Sequence, residues 1–165
     1  VETGTTFEEN ASLKARSFAT ESGLLTLADD SGLEVYALGG EPGSMSARYA
    51  GPEASDEDRV WYLLSKLEGI EWNMRGARFR SVLALAEPVG SVHYFEGKCE
   101  GIITFEPQGN WGFGYDPVFY VLALRKRMAE LSLEEKNGIS HRGSAARKAV
   151  EYLKGVATSR QDDSS

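Results

Sequence analysis

The chain has 165 residues, 41% of them hydrophobic and 10% aromatic, which is enough for one domain with a real core and short for two. A net charge of −7 and a pI near 4.9 exclude a general affinity for nucleic-acid backbones, because there is no basic excess to displace counterions, and any phosphate site must be local. No apolar run approaches a membrane span, Cys99 is the only cysteine, which rules out an internal disulfide or a cysteine-based zinc site, and no charged-then-apolar leader opens the chain; the expected setting is the cytoplasm.

Thr6 followed by Glu9 fits a capping box, and a helix is predicted over Phe7 to Glu21 with Phe7, Ala11, the stem of Lys14 and Phe18 on one side, closed by Gly23. Asn10 and Lys14 are four apart and share a face near the helix start, where the dipole and the lysine together favour an anion. Leu24 to Ala28 reads as a short buried strand running into Asp29-Asp30-Ser31-Gly32. Leu33, Val35 and Ala37 alternate as a second strand, so a hairpin around an acidic turn is expected. Of the two adjacent carboxylates one could hold a divalent cation or a water while the other orients it; the same run is also ordinary turn chemistry. Gly39 to Gly43 breaks regular structure, Ser44 to Ala54 is loop-like, and Ser55 caps a second helix with Val60, Leu63, Leu64 and Leu67 inward.

From Ala77 the pattern becomes sheet, with Ala77, Phe79, Ser81, Leu83 and Leu85 on one side. Ser91 to Glu96 and Gly101 to Phe105 follow as two further strands of an antiparallel meander. His93 and Cys99 read as structural. In Gln108 to Tyr120, Gly109, Gly112 and Gly114 interleave with Trp111, Phe113 and Tyr115, a pattern that lets backbone approach a ligand and offers ring faces to a flat heterocycle, or else a turn packed for its own sake. After a basic segment, Ser132 and Glu135 form another capping box. Lys136, His141 and Arg142 then make one concentrated cationic patch, suited to a phosphate or a carbonyl oxygen. A last helix is predicted over Ser144 to Lys154 with Ala146, Val150 and Leu153 inward, followed by a polar, disordered tail over 156–165.

Taken together, Thr3 to Ala11, Ala28 to Leu33, Pro42-Gly43 with Ser46 to Tyr49, Gly112 to Pro117, and Glu135-Lys136 with Ile139 to Gly143 resemble the inosine triphosphate pyrophosphatase family, from Glu2 to about Leu153. The resemblance implies an α/β fold with a long mixed β-sheet flanked by helices, two lobes around a central nucleotide cleft, and a homodimer. It implies Mg²⁺-dependent hydrolysis of ITP, dITP and XTP to the monophosphate and pyrophosphate, cleansing the nucleotide pool. On the same resemblance Asp30 is the proton acceptor and a metal ligand, Asp29 and Glu2 are further metal-side carboxylates, and Lys14 is the catalytic lysine facing the phosphates. Ser31, Phe113, Gly114, Tyr115, Asp116, Lys136, His141 and Arg142 are the implied substrate contacts. Relative to the family the chain begins after a first strand and a Thr/Ser-x-Asn-x-x-Lys loop, so the predicted domain, residues 1–155, is N-terminally incomplete, and Arg127 stands where the family has threonine. The alternative is a purine-nucleotide-binding module that has lost turnover with that loop.

Overall fold

Thr6 opens helix α1 (Phe7–Ser22) as predicted: its hydroxyl accepts from the Glu9 N–H, and the Glu9 carboxylate accepts from the Thr6 N–H in return. Gly23, at φ 69°, ends it in the left-handed conformation that glycine adopts without strain. The computed structural model describes residues 3–109 and 113–162. The remaining elements are β1 (Thr26–Val35), α2 (Asp56–Lys66), β2 (Gly76–Ala86), β3 (Val92–Ile103), β4 (Phe119–Val121), β5 (Lys126–Arg127), α3 (Leu133–Ile139) and α4 (His141–Asp162).

The five strands form one sheet in the order β1-β2-β3-β4-β5. The α/β class and the sheet flanked by helices agree with expectation. The β3–β4 and β4–β5 pairs are antiparallel, with Ile102 opposite Tyr120 and Tyr120 opposite Arg127, where the resemblance implies a mixed sheet. Strand order follows the sequence; residues 87–91 and 122–125 are short connections between β2 and β3 and between β4 and β5, whereas residues 36–75, with α2, lie between β1 and β2.

The predicted hairpin at Asp29–Gly32 is a single strand. All ten residues of β1 are extended, and Gly32 is not among the glycines with positive φ, so Ser-Gly there makes no turn. Leu24 and Leu25, just ahead of β1, and Leu27 within it are 66%, 52% and 46% exposed, not buried as expected. The two strands predicted on either side of Gly97 to Glu100 also fuse, into β3. Gly97 and Gly101 are places of close approach instead of breaks: a Cβ at Gly97 would strike the His141 carbonyl, and one at Gly101 the Tyr120 carbonyl.

The chain folds as two compact units. The first comprises the chain up to Asp30, Ser81–Gly97 and the chain from His141 onward; the second comprises Ser31–Arg80 and Lys98–Ser140. In the first, Phe7, Ala11, Ala15 and Ala19 of α1 pack with Val82, Ala84 and Ala86 of β2. Alanines on both partners let helix and strand approach closely, and Phe18, predicted to face inward, is 61% exposed because Ala15 and Ala19 occupy the inner stripe. On α4 the buried positions are Ala145 and Ala149; Ala146 and Val150, predicted inward, face solvent. The helix runs past Gly155 to Asp162, into the stretch expected to be a disordered tail.

The second unit holds the larger core. Val60, Leu63, Leu64 and Leu67 are buried as their spacing predicts, packed with Leu33, Val35, Phe79, Ile103, Phe119 and Val121. The Phe79 and Phe119 rings lie 4.4 Å apart between centroids. Each such aliphatic or aromatic side chain removed from water contributes about 1.5–3 kcal/mol, so this cluster dominates the unit's stability. Arg75 enters the same interior, only 3% exposed, a buried cation that the hydrophobic pattern does not announce. Cys99 is buried, which pushes its thiol up to about 11, in keeping with a structural role.

Candidate functional site

Two groups of predicted residues are built within the separate units. In the first unit, α1 presents Asn10 and Lys14 one turn apart, and both reach Asp30. The Asn10 amide donates to Asp30 Oδ2 at 3.2 Å, and Lys14 Nζ lies 3.9 Å from Asp30 Oδ1. The anion that the shared helix face was expected to favour is therefore, in the first instance, this carboxylate. Because β1 is extended, Asp29 projects to the opposite side from Asp30. There Arg142 Nε stands 3.7 Å from Asp29 Oδ2. Arg142 is thus within ion-pair distance of the residue beside Asp30, while Lys136, the third of the predicted cations, belongs to the second unit.

His141 and Arg142 occupy the first turn of α4, three residues ahead of the predicted helix start. Strand β3 comes close enough to this turn that only glycine fits at position 97, and Lys148 Nζ donates to the Glu96 carbonyl at 2.6 Å. Burial pushes the His141 imidazole down to about 4, with the Arg142 charge adding to the effect and Asp29 opposing it. The ring is therefore neutral at pH 7, offering one N–H donor and one acceptor nitrogen. The unfolded chain, with an ordinary histidine near 6.5, binds the proton first as pH falls. Stability from this group is thus complete above pH 6.5 and is lost as pH drops toward 4, by about 2 kcal/mol once the ring's partial solvent contact is allowed for. Denaturant melts at pH 7 and pH 4.5 should show this loss in the wild type, and His141→Phe should remove that part of the slope.

In the second unit, Gly114 has φ 60°, and its N–H donates to Asp56 Oδ2 at 3.2 Å. Tyr115 is buried, its hydroxyl donating to the Ser46 carbonyl at 2.7 Å. Ser46 Oγ in turn accepts from the Leu33 N–H at 2.9 Å. Asp116 begins a short 3₁₀ turn with Pro117, and its N–H donates to the Phe113 carbonyl at 3.2 Å. Lys136 Nζ, on the capped helix α3, lies 3.4 Å from Asp116 Oδ2, although burial still pushes that carboxyl up. Phe113 is 78% exposed, a ring face left open to a ligand. Ser31, the next residue after Asp30 on β1, belongs to this second unit and is half-buried. Arg127 donates to Thr104 Oγ1 at 2.7 Å and to the Pro117 carbonyl at 3.2 Å, so it braces the segment behind Asp116.

Glu2, Trp111 and Gly112 lie outside the described residues. Among the described residues no group of three His, Cys, Asp or Glu side chains is placed to hold a metal ion. A hard cation of the Mg²⁺ type takes one or two protein carboxylates and completes its shell with phosphate oxygens and water; Asp30 offers one such carboxylate, while Asp29, on the opposite side of β1, does not face the same ion. Sequence reasoning paired Asn10 with Lys14 without assigning it a target, and it gave Asp56 no role in the site. The signal available for Asn10 was an amide on the buried, alanine-lined stripe of α1.

The sequence pattern of the Ham1 family matches residues 1–152. A protein of Desulforamulus reducens named dITP/XTP pyrophosphatase is 54% identical over 152 residues, covering 92% of this chain and 76% of that protein. One of the same name from Bacillus subtilis is 49% identical, covering 92% and 77%. Among solved structures, the Staphylococcus aureus Ham1 protein superposes with a TM-score of 0.89 at 47% identity, covering 94% of this chain and 80% of that one. The nucleoside-triphosphatase, or dITP/XTP pyrophosphatase, of Mycobacterium abscessus gives a TM-score of 0.80 at 43% identity, covering 93% and 78%.

Proposed function

The chain belongs to the Ham1 family, and from that premise we propose that it hydrolyses non-canonical purine nucleoside triphosphates, dITP, ITP and XTP, to the monophosphate and pyrophosphate. The observation that carries the reading is the Asp30 carboxylate held between Asn10 and Lys14 on successive turns of one helix. Water attacks the α-phosphorus, the bond to the bridging oxygen breaks, and pyrophosphate leaves with its electron pair. Asp30 accepts the proton of the attacking water, and Lys14 offers its charge to the phosphates. Asp30, with Glu2, would hold Mg²⁺, which when bound neutralises charge on the triphosphate, and Asp29, on the other side of β1, would serve the metal side of the site through its pair with Arg142.

For the base, the neutral His141 ring and the Arg142 guanidinium supply donors suited to a 6-keto oxygen, and the exposed Phe113 ring supplies a stacking face. Gly114, Tyr115, Asp116, Lys136 and Ser31 complete the proposed substrate contacts. A site built to donate to O6 rejects a 6-amino purine, because its donors would be left unpaired. Names of this activity on relatives near 50% identical support the reading.

A homodimer and a cytoplasmic setting belong to the same proposal. The second unit keeps Trp61, Met74 and Phe105 on its surface, 51%, 63% and 59% exposed, an apolar display of the kind that second copies cover. Among the described residues no helix is long and apolar enough to cross a membrane.

The test is pyrophosphate release with Mg²⁺ from dITP, XTP and ATP. The expected result is release from dITP and XTP at least about 100-fold faster, by kcat/KM, than from ATP. Binding of dITP without release would make the chain a binding module, and equal rates on ATP and dITP would remove the base selection.

A further inference from the structure

Asn10 is fully buried in a helix whose other inner positions are Phe7, Ala11, Ala15 and Ala19. An amide is a poor helix former and costly to bury, so its presence on this stripe calls for a polar purpose. Both ends of the side chain are used. Its Oδ1 accepts from the Gly4 N–H at 2.8 Å, and its Nδ2 donates to Asp30 Oδ2 at 3.2 Å. The first bond fixes which way round the amide sits: with an N–H pointing at Oδ1, only the NH₂ end is left to face the carboxylate. Gly4 is required for this approach, since a Cβ there would stand 2.7 Å from Asn10 Oδ1.

We infer that Asn10 is a positioning residue for the proposed reaction: it ties down Oδ2 of Asp30 and so leaves Oδ1, the oxygen on the Lys14 side, aimed at the reacting water. A free carboxylate rotates about its last bond and presents either oxygen. A buried donor on one oxygen removes that rotation and sets the direction of the other, which is what proton abstraction from a positioned water needs. The remaining bond of Asn10, to Gly4, holds the chain entering α1 against the same helix turn, so one side chain sets both the entry segment and the carboxylate. The inference rests on the reading of Asp30 given above.

The experiment compares Asn10→Asp, Asn10→Ala and Asp30→Asn with the wild type, measuring kcat and KM for dITP, dissociation constants for the product monophosphate by calorimetry, and near-ultraviolet circular dichroism. Asn10→Asp keeps an acceptor for the Gly4 N–H but sets a second carboxylate against Asp30 in place of the donor, whereas Asn10→Ala removes the donor without adding charge. Both Asn10 variants are expected to lower kcat about 10- to 100-fold, as a misdirected catalytic group does, while KM and the product affinity stay within about threefold. Wild-type kcat in Asn10→Asp would overturn the inference, as would KM rising in step with the loss of kcat. Loss of the folded spectrum in both variants would also overturn it, by making the residue purely structural. If Asp30→Asn is inactive while Asn10→Asp turns over normally, the inference alone falls; if Asp30→Asn turns over normally, the reading of Asp30 falls with it.

Discussion

Asp30→Asn is expected to lower kcat for pyrophosphate release from dITP by about 10³-fold or more, at the upper end of what removal of a general base costs. The substitution is nearly isosteric, and the local geometry shows why the loss should be chemical. Asp30 lies on an extended strand whose neighbours are fixed by backbone pairing, so an amide can occupy the same place without disturbing β1. It would lose the negative charge facing Lys14 at 3.9 Å and gain an NH₂ end that either opposes the Asn10 donor or turns toward the water. In neither orientation does the residue accept a proton. The melting temperature should stay within a few degrees of wild type, because the ion pair with Lys14 is long and partly solvated and so contributes little to stability. Steady-state kinetics on dITP with a thermal melt on the same preparations decides it; a rate within tenfold of wild type would remove Asp30 from the mechanism.

Arg75→Ala is expected to destabilise the protein by about 3–5 kcal/mol, the cost of breaking a buried, fully used charge network. Arg75 Nε donates to the Ile103 carbonyl at 2.7 Å, Nη1 to those of Leu67 and Ile70 at 2.8 and 3.1 Å, and Nη2 to that of Thr104 at 3.0 Å. The guanidinium also lies 4.7 Å from the centre of the Phe105 ring. No carboxylate among the described residues pairs with it. The charge is compensated by carbonyl dipoles, and burial alone pulls its pKa down. Alanine would strand these carbonyls in the interior, where each unsatisfied group costs about 1–3 kcal/mol unless water enters. Lysine should not rescue, since a point charge with three donors cannot match a planar fork reaching four carbonyls. Urea denaturation should show a lower midpoint, and the thermal midpoint should fall by about 10 °C for a chain of this size. A change under 1 kcal/mol would show that the network is replaceable by water.

The capped helices were the most legible elements. Thr6, Ser55 and Ser132 each carry a capping box that the structure reproduces, because a cap is satisfied within three residues of chain and needs no tertiary partner. The inner face of α2 was equally plain, since leucine and valine at helical spacing leave one apolar stripe. The errors fall where a polar or small residue has a reason that only a distant neighbour supplies. Asp-Asp-Ser-Gly has the composition of a turn, and is held extended in β1 where Asn10, Lys14 and Arg142 partner the acids and Ser46 partners the next backbone amide. Gly97 looks like a break between two strands and is a close approach to the first turn of α4. Phe18 looks like core and is not, because the small alanines beside it allow tighter packing of α1 on β2 than a phenylalanine would.

By itself the sequence determined the starts of the three capped helices, the α/β class, the family, and the residue types of the proposed chemistry: two carboxylates, a lysine one helix turn from an asparagine, a Gly-aromatic segment and a cationic patch. Those follow from local hydrogen bonding, from the period of apolar residues and from motifs whose order survives in one dimension. Only the tertiary structure decided that Asp30 is clasped by Asn10 and Lys14, that Asp29 stands beside Arg142, that His141 is neutral, and that Arg75 is buried among carbonyls. Each of these depends on which groups burial and chain crossing bring within a few ångströms, and on the loss of water that makes the encounter matter, quantities that spacing along the chain does not encode.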